Sequence, residues 1–188
     1  MTMDPLEEKE DSCPPPPVRG IEGDAESPWS NLEEGGAHLA IDDFLTTMMS
    51  HASNALRRAI TVPYAEQAGL TVSEWRMLSV LAEAQQLPFM ELVSRSAADK
   101  AQVSRTLRLL EGRGLLSLHA EQQGARKWQT CRISPLGQAL YEQIIPLARQ
   151  RQAAVIRQLG PEDRAVLYRA LKTLRRIGEA AADARDSK

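Results

Sequence analysis

Between Leu70 and Gly137 the chain sets down a series of elements in an order that leaves few folds open. An N-cap and amphipathic helix open it, from Leu70-Thr71 to Leu81. A short helix is expected at Phe89-Met90-Glu91-Leu92-Val93, then a turn through Ser96-Ala97-Ala98-Asp99. A third helix runs from Lys100 to Gly112, basic on one side and apolar on the other. Two strand-like runs follow, Gly114–His119 and Trp128–Ile133, joined by the polar loop Gln122–Lys127 with its turn glycine, Gly124. Helix, helix, turn, basic helix and hairpin make a winged helix-turn-helix, so the expected fold is mainly α with a small β-hairpin wing. A protein that lays one helix in a DNA groove needs this order.

The third helix carries the residue types that such a task requires. Val103, Leu107 and Leu110 line one face, while Ala101, Arg105, Arg108 and Gly112 point the other way, with Gln102 and Ser104 on the flanks. Gln and Arg pair bidentately with adenine and guanine edges, each pair worth about 1–3 kcal/mol of discrimination. Gln102, Arg105 and Arg108 are therefore candidates for base reading in double-stranded DNA. Lys100 and Ser104 suit phosphate contacts that set the register. An ordinary amphipathic helix with a basic solvent face is the plainer reading, and the helix-turn before it and the wing after it argue against that. In the loop, adjacent Arg126 and Lys127 suit a narrow minor groove, where the negative potential is strongest. By alternation Cys131 shares a face with Ile133, which makes it a small buried residue and not a redox sensor.

The formal charge of −2 conceals a division. Met1 to Ala37 holds ten acidic residues against Lys9 and Arg19, leaving 21 basic and 15 acidic residues from His38 onward, a net +6. The part expected to fold is basic, as a nucleic-acid partner requires. Two cysteines, Cys13 and Cys131, make neither a disulfide framework nor a metal site, and they fit a reducing compartment. The N-terminus carries acids where a signal peptide carries a basic region and an apolar core, and no apolar run approaches the roughly 20 residues of a membrane-spanning helix. A cytoplasmic location without membrane contact is the expectation.

Four segments are expected. Residues 1–37, acidic and centred on Pro14-Pro15-Pro16-Pro17, bury too little to offset their ordering entropy and read as a disordered tail, passive or partner-binding. Residues 38–69 carry a helix of about twenty residues, striped by Ile41, Leu45, Met48, Ala52, Leu56 and Ala59 and interrupted by Pro63, with a turn through Tyr64 to Gly69. Residues 70–134 are the winged helix. Residues 135–188 hold two more helices, one kinked at Pro146, the other opened by Pro161 with Glu162 and Asp163 at its positive end. The long stripes outside the winged helix need a partner. A homodimer is the simplest, and it would present two half-sites one helical turn apart.

Leu70-Thr71, Val103-Ser104-Arg105, the run Leu110-Glu111-Gly112-Arg113-Gly114-Leu115-Leu116 and Ile133-Ser134-Pro135-Leu136-Gly137, in this order and spacing, resemble the MarR family of dimeric bacterial transcriptional regulators. The resemblance covers His38 to the C-terminus. The wing departs from it: the family's Asp-x-Arg falls on Ala125 and Lys127, with Arg126 between, so the acid that braces the wing arginine is missing and either basic residue could enter the groove. The resemblance implies a repressor released from a pseudo-palindromic operator when a small aromatic acid or its derivative binds between the dimerising helices and the winged helix. Phe44, Met48, His51 and Arg58 border the stripe of the first long helix, and Trp75 and Met77 could face them. Alternatively Trp75 and the methionines are core, and His51 and Arg58 a solvated edge. No Gly-rich phosphate loop, no Gly-x-Ser-x-Gly and no metal-ligand spacing among His38, His51 and His119 speak for an enzyme, a cofactor or a metal. A winged helix used only for protein interaction is the competing class, and Arg105 with Arg108 argues against it.

Overall fold

The computed structural model describes residues 27–96, 98–123 and 126–186. Most of the expected tail, with Cys13 in it, lies outside the described residues, as do Ala97 of the expected turn and Gly124 and Ala125 of the loop. Residues 27–37 form turns, and the Trp29 indole N–H donates to the Asp43 carbonyl at 2.8 Å. Glu26–Gln150 and the residues from Arg151 onward belong to two compact units.

A single 3-10 turn at Ile41–Asp43 leads into α1, Leu45–Leu56. Pro63 does not interrupt the helix as its sequence position suggests. Proline has no N–H to donate, and its ring crowds the carbonyl one turn back. The chain answers by widening to a π turn at Arg57–Thr61, where the Val62 N–H reaches back to the Arg57 carbonyl. It then continues as α2, Val62–Gln67, and only Ala68 and Gly69 form the turn. In α3, Val72–Ala84, the Thr71 hydroxyl accepts from the Glu74 N–H (3.2 Å) while the Glu74 carboxylate accepts from the Thr71 N–H (2.7 Å).

A three-residue strand follows, β1 at Gln86–Pro88, too short to leave an alternation signal in the sequence. It leads directly into α4, Phe89–Ser96, and then α5, Lys100–Gly112. The hairpin strands β2, Leu116–Gln123, and β3, Arg126–Ile133, are longer than expected. The antiparallel sheet has the order β1-β3-β2, with Leu87 and Leu118 both opposite Cys131. The core of this unit is Leu78 and Leu81 of α3, Leu92 of α4, Val103 and Leu110 of α5 and Cys131 of β3, all fully buried.

The hairpin root is joined to α6, Pro135–Ile156, by a compact junction. Gly114 takes the left-handed conformation (φ 70°) that ends the approach from α5. The Ser134 hydroxyl donates to the Gly114 carbonyl (2.6 Å) and accepts from the Gly137 N–H (3.0 Å), while the Ser134 N–H donates to the Leu115 carbonyl (3.1 Å). A Cβ on Gly137 would stand 2.0 Å from that carbonyl oxygen. The helix runs through Pro146, and Tyr141, Ile144 and Ala148 are buried.

In the second unit, the Arg164 guanidinium donates to the Ile156, Arg157 and Leu159 carbonyls and so closes the C-terminal end of α6. The last helix, α7, spans Pro161–Asp186. Val166, Leu167, Leu171 and Ile177 of α7 are exposed, as are Phe44, Leu45, Met48 and Met49 at the start of α1. Among the described residues no helix is long and apolar enough to cross a membrane.

Gly137→Ala forces a backbone shift at the wing root and should destabilise the protein by about 1–3 kcal/mol or more. Gly178→Ala, with nothing within 4 Å of the added carbon, is the control and should be neutral or stabilising. Urea titration of both variants distinguishes them; equal midpoints would mean that the junction relaxes freely.

Candidate nucleic-acid interface

The site is built on α5. Asp99 caps the helix, its carboxylate accepting from the Gln102 N–H at 2.8 Å. Val103, Thr106, Leu107 and Leu110 are buried. At 3.6 residues per turn this leaves Ala101, Arg105, Arg108 and Gly112 on the opposite side, and all four are exposed. Leu109 is 61% exposed beside them, a position that the sequence pattern does not assign to this face. Its signal in the sequence was hidden, because a leucine next to Leu110 reads as core until the helix phase is set.

Both flanks of α5 are tied down. On one flank the Gln102 side-chain amide donates to the Ser73 hydroxyl at 3.1 Å. Gln102, expected as a base reader, therefore also holds α5 to the start of α3. Further along, the Arg113 guanidinium donates to the Gly69 carbonyl (2.9 Å) and lies 3.5 Å from the largely buried Glu74 carboxylate. On the other flank stand Lys100, Ser104 and Glu111. The Glu111 carboxylate accepts from the Leu118 N–H at 2.9 Å. Because β2 is an edge strand, that N–H has no partner strand, and Glu111 fastens the hairpin to the end of α5.

In the hairpin, Arg126 pairs with Gln123 and Lys127 with Gln122, which places the backbone of both basic residues at the far end of the wing. Residue 125, where the family's wing acid would stand, lies outside the described residues.

Cys131 has no exposed surface. Burial, helped by the Glu111 charge, pushes its thiol up to about 11. A thiol raised this far stays protonated at neutral pH, and the thiolate that reacts with oxidants is absent. Its stabilising effect is complete below pH 9 and declines as pH rises toward 11, because the unfolded chain loses the proton first.

The six candidate effector residues divide. Phe44, Met48, His51 and Arg58 are exposed along α1 and the π turn. Trp75 is instead packed between two tyrosines, edge-on to Tyr64 (centroids 5.6 Å apart) and stacked with Tyr141 (5.8 Å). Met77 is fully buried. Trp75 lies where α3 meets α2 and α6, and Met77 is at the other edge of the buried face of α3 that holds Leu78 and Leu81. Trp75 and Met77 are therefore core residues in this structure, as the second of the two readings has them.

Comparison with known proteins places this geometry. The model of the MarR family matches residues 68–127. A MarR/EmrR family transcriptional regulator from Acinetobacter sp. ADP1 superposes with a TM-score of 0.66 at 26% identity, covering 75% of this chain and 99% of that one. The regulator NadR in complex with 4-hydroxyphenylacetate matches at a TM-score of 0.57 and 26% identity, over 68% of this chain and 89% of its own. Bordetella bronchiseptica BpsR, whose DNA binding is regulated by 6-hydroxynicotinic acid, has the same fold (TM-score 0.59, 22% identity, 72% and 96% covered). No curated protein sequence matches.

In a Cys13→Ser background, Cys131 should resist a thiol reagent at pH 8 and become reactive only in denaturant. Fast labelling of the folded protein would show that β3 opens on its own.

Proposed function

On the premise that residues 68–127 are a MarR-family winged helix set in the fold of that family's transcriptional regulators, we propose that this protein is a dimeric, operator-specific DNA-binding regulator. The observation that carries the reading is the exposed row Ala101, Arg105, Arg108 and Leu109 on a helix whose opposite face is the core of the lobe. Two arginines and an exposed leucine match the chemistry of a major groove: guanine O6 and N7 for the guanidinium groups, a thymine methyl for Leu109. The net +6 charge from His38 onward supplies the sequence-independent attraction to phosphate.

Dimerisation is supported by the uncovered apolar residues of α1 and of α7, each too extensive to be left in water. A second copy of the chain buries both stripes and sets two α5 helices one helical turn apart on a pseudo-palindrome. The protein acts as a repressor, released by a small aromatic anion. The NadR complex with 4-hydroxyphenylacetate shows that a regulator of this fold holds such a molecule, and His51 and Arg58 offer exposed donors on this chain.

The test uses an operator selected by the purified protein from random-sequence duplexes. Arg105→Ala should lose about 1–3 kcal/mol per half-site on that operator and much less on unselected DNA. Equal losses on both would make Arg105 a phosphate contact, and no duplex binding by the wild type would favour a protein-interaction module. For the switch, a ligand releases DNA only through its differential affinity for two conformations. His51→Ala or Arg58→Ala should therefore keep operator affinity and lose the response to 4-hydroxyphenylacetate. A wild-type response in both variants places the anchor elsewhere.

A further inference from the structure

Beside the exposed face of α5 lies an open cleft of about 590 Å³, lined by Phe89, Lys100, Ala101, Ser104 and Gln129. It is bounded by the start of α4, the first turns of α5 and the middle strand of the sheet. Gln129 reaches it because it lies two residues from Cys131 on the same face of β3, where the hairpin has run past the core and the side chain is exposed. Phe89 and Ala101 make the lining chiefly apolar. The Lys100 ammonium, the Ser104 hydroxyl and the Gln129 amide have no hydrogen bond or ion pair with another described residue. Three donor groups, one of them cationic, line the cleft beside its apolar residues. Asp99, the N-cap of α5, has a carboxylate oxygen engaged by the Gln102 N–H and keeps its charge at that end of the helix.

We infer that this cleft seats one deoxyribose-phosphate of the DNA backbone, with Gln129, Lys100 and Ser104 on the phosphate and Phe89 and Ala101 against the sugar. The inference rests on the reading of the protein as a DNA binder and extends it to Gln129 and Phe89, which were not among the candidate contacts. Its geometric ground is that a strand of backbone always separates a major groove from the adjacent minor groove. If α5 occupies one and the hairpin the other, a backbone segment must cross the gap between them, and the cleft is that gap. A nucleotide presents the same division as the lining: an apolar sugar beside an anionic phosphate. Contacts of this kind set position and carry no sequence preference.

The selected operator and an unselected duplex are titrated with wild-type protein, Gln129→Ala, Gln129→Glu, Lys100→Ala and Arg105→Ala, between about 50 and 200 mM salt. Gln129→Ala should weaken both duplexes by the same factor, roughly threefold to tenfold, with an unchanged salt slope. Gln129→Glu, which sets a carboxylate against the phosphate, should weaken both further. Lys100→Ala should weaken both and lower the salt slope by about one. If Arg105→Ala loses operator affinity while both Gln129 variants bind like wild type, the cleft assignment is overturned and the DNA-binding reading stands. Loss on the operator alone would make Gln129 a base contact and also overturn it. Wild-type duplex binding with an altered response to 4-hydroxyphenylacetate would make the cleft a small-molecule site instead. Failure of the wild type to bind any duplex removes both readings together.

Discussion

Burial of Val103, Leu107 and Leu110 against α3 and α4 decides where every polar group of α5 points. Each fully buried aliphatic side chain contributes roughly 1.5–3 kcal/mol. The flanking hydrogen bonds, from Gln102 to Ser73 and from the Leu118 N–H to Glu111, contribute about 0.5–1.5 kcal/mol each. The apolar face therefore sets the rotation of the helix, and the flanking bonds restrict what is left of it. Arg105 and Arg108 stand outward because three aliphatic residues on the same helix stand inward. The proposed reading role needs a helix held this way, since a bidentate contact tolerates little error in aim.

The second constraint is the junction around Ser134. One hydroxyl bridges the turn after α5 and the first turn of α6, and the absence of a side chain at Gly137 lets the Leu115 carbonyl come close. The end of α5, the hairpin and α6 thus meet within a few residues. A displacement of α6 has a short mechanical route to α5 and to the hairpin. The aromatic stack of Trp75 with Tyr141 makes a second tie between α6 and the lobe, through α3.

Charge is arranged on the same plan. Three acids around α5 have structural partners: Glu74 in the cap of α3 and near Arg113, Asp99 in the cap of α5, and Glu111 on the edge of β2. Arg105, Arg108 and Lys100 are left with no acidic partner among the described residues. The positive face of α5 results from where the acids are engaged as much as from where the bases stand.

Much of this was legible in the residues themselves. The helix-turn-basic-helix-hairpin order, the outward row of α5, the buried thiol and the break before Pro161 follow from side-chain periodicity and from proline and glycine chemistry, which act over a few neighbouring residues. What tertiary structure decided lies where distant segments compete for one position. Pro63 reads as a stop, yet packing of Tyr64 and Ala65 in the core carries the helix past it through a π turn. Gln86-Leu87-Pro88 has no pattern of its own and becomes a strand because β3 offers it a free edge. Trp75 and Met77 lie at the two edges of the buried face of α3, and only the packing of α2 and α6 on that helix decided that Trp75 is buried. Gln129 and Phe89 are forty residues apart, and only the pairing of β1 with β3 brings them to one cleft. Local patterns are written in the order of the chain, whereas a site between elements exists only after burial has chosen which faces meet.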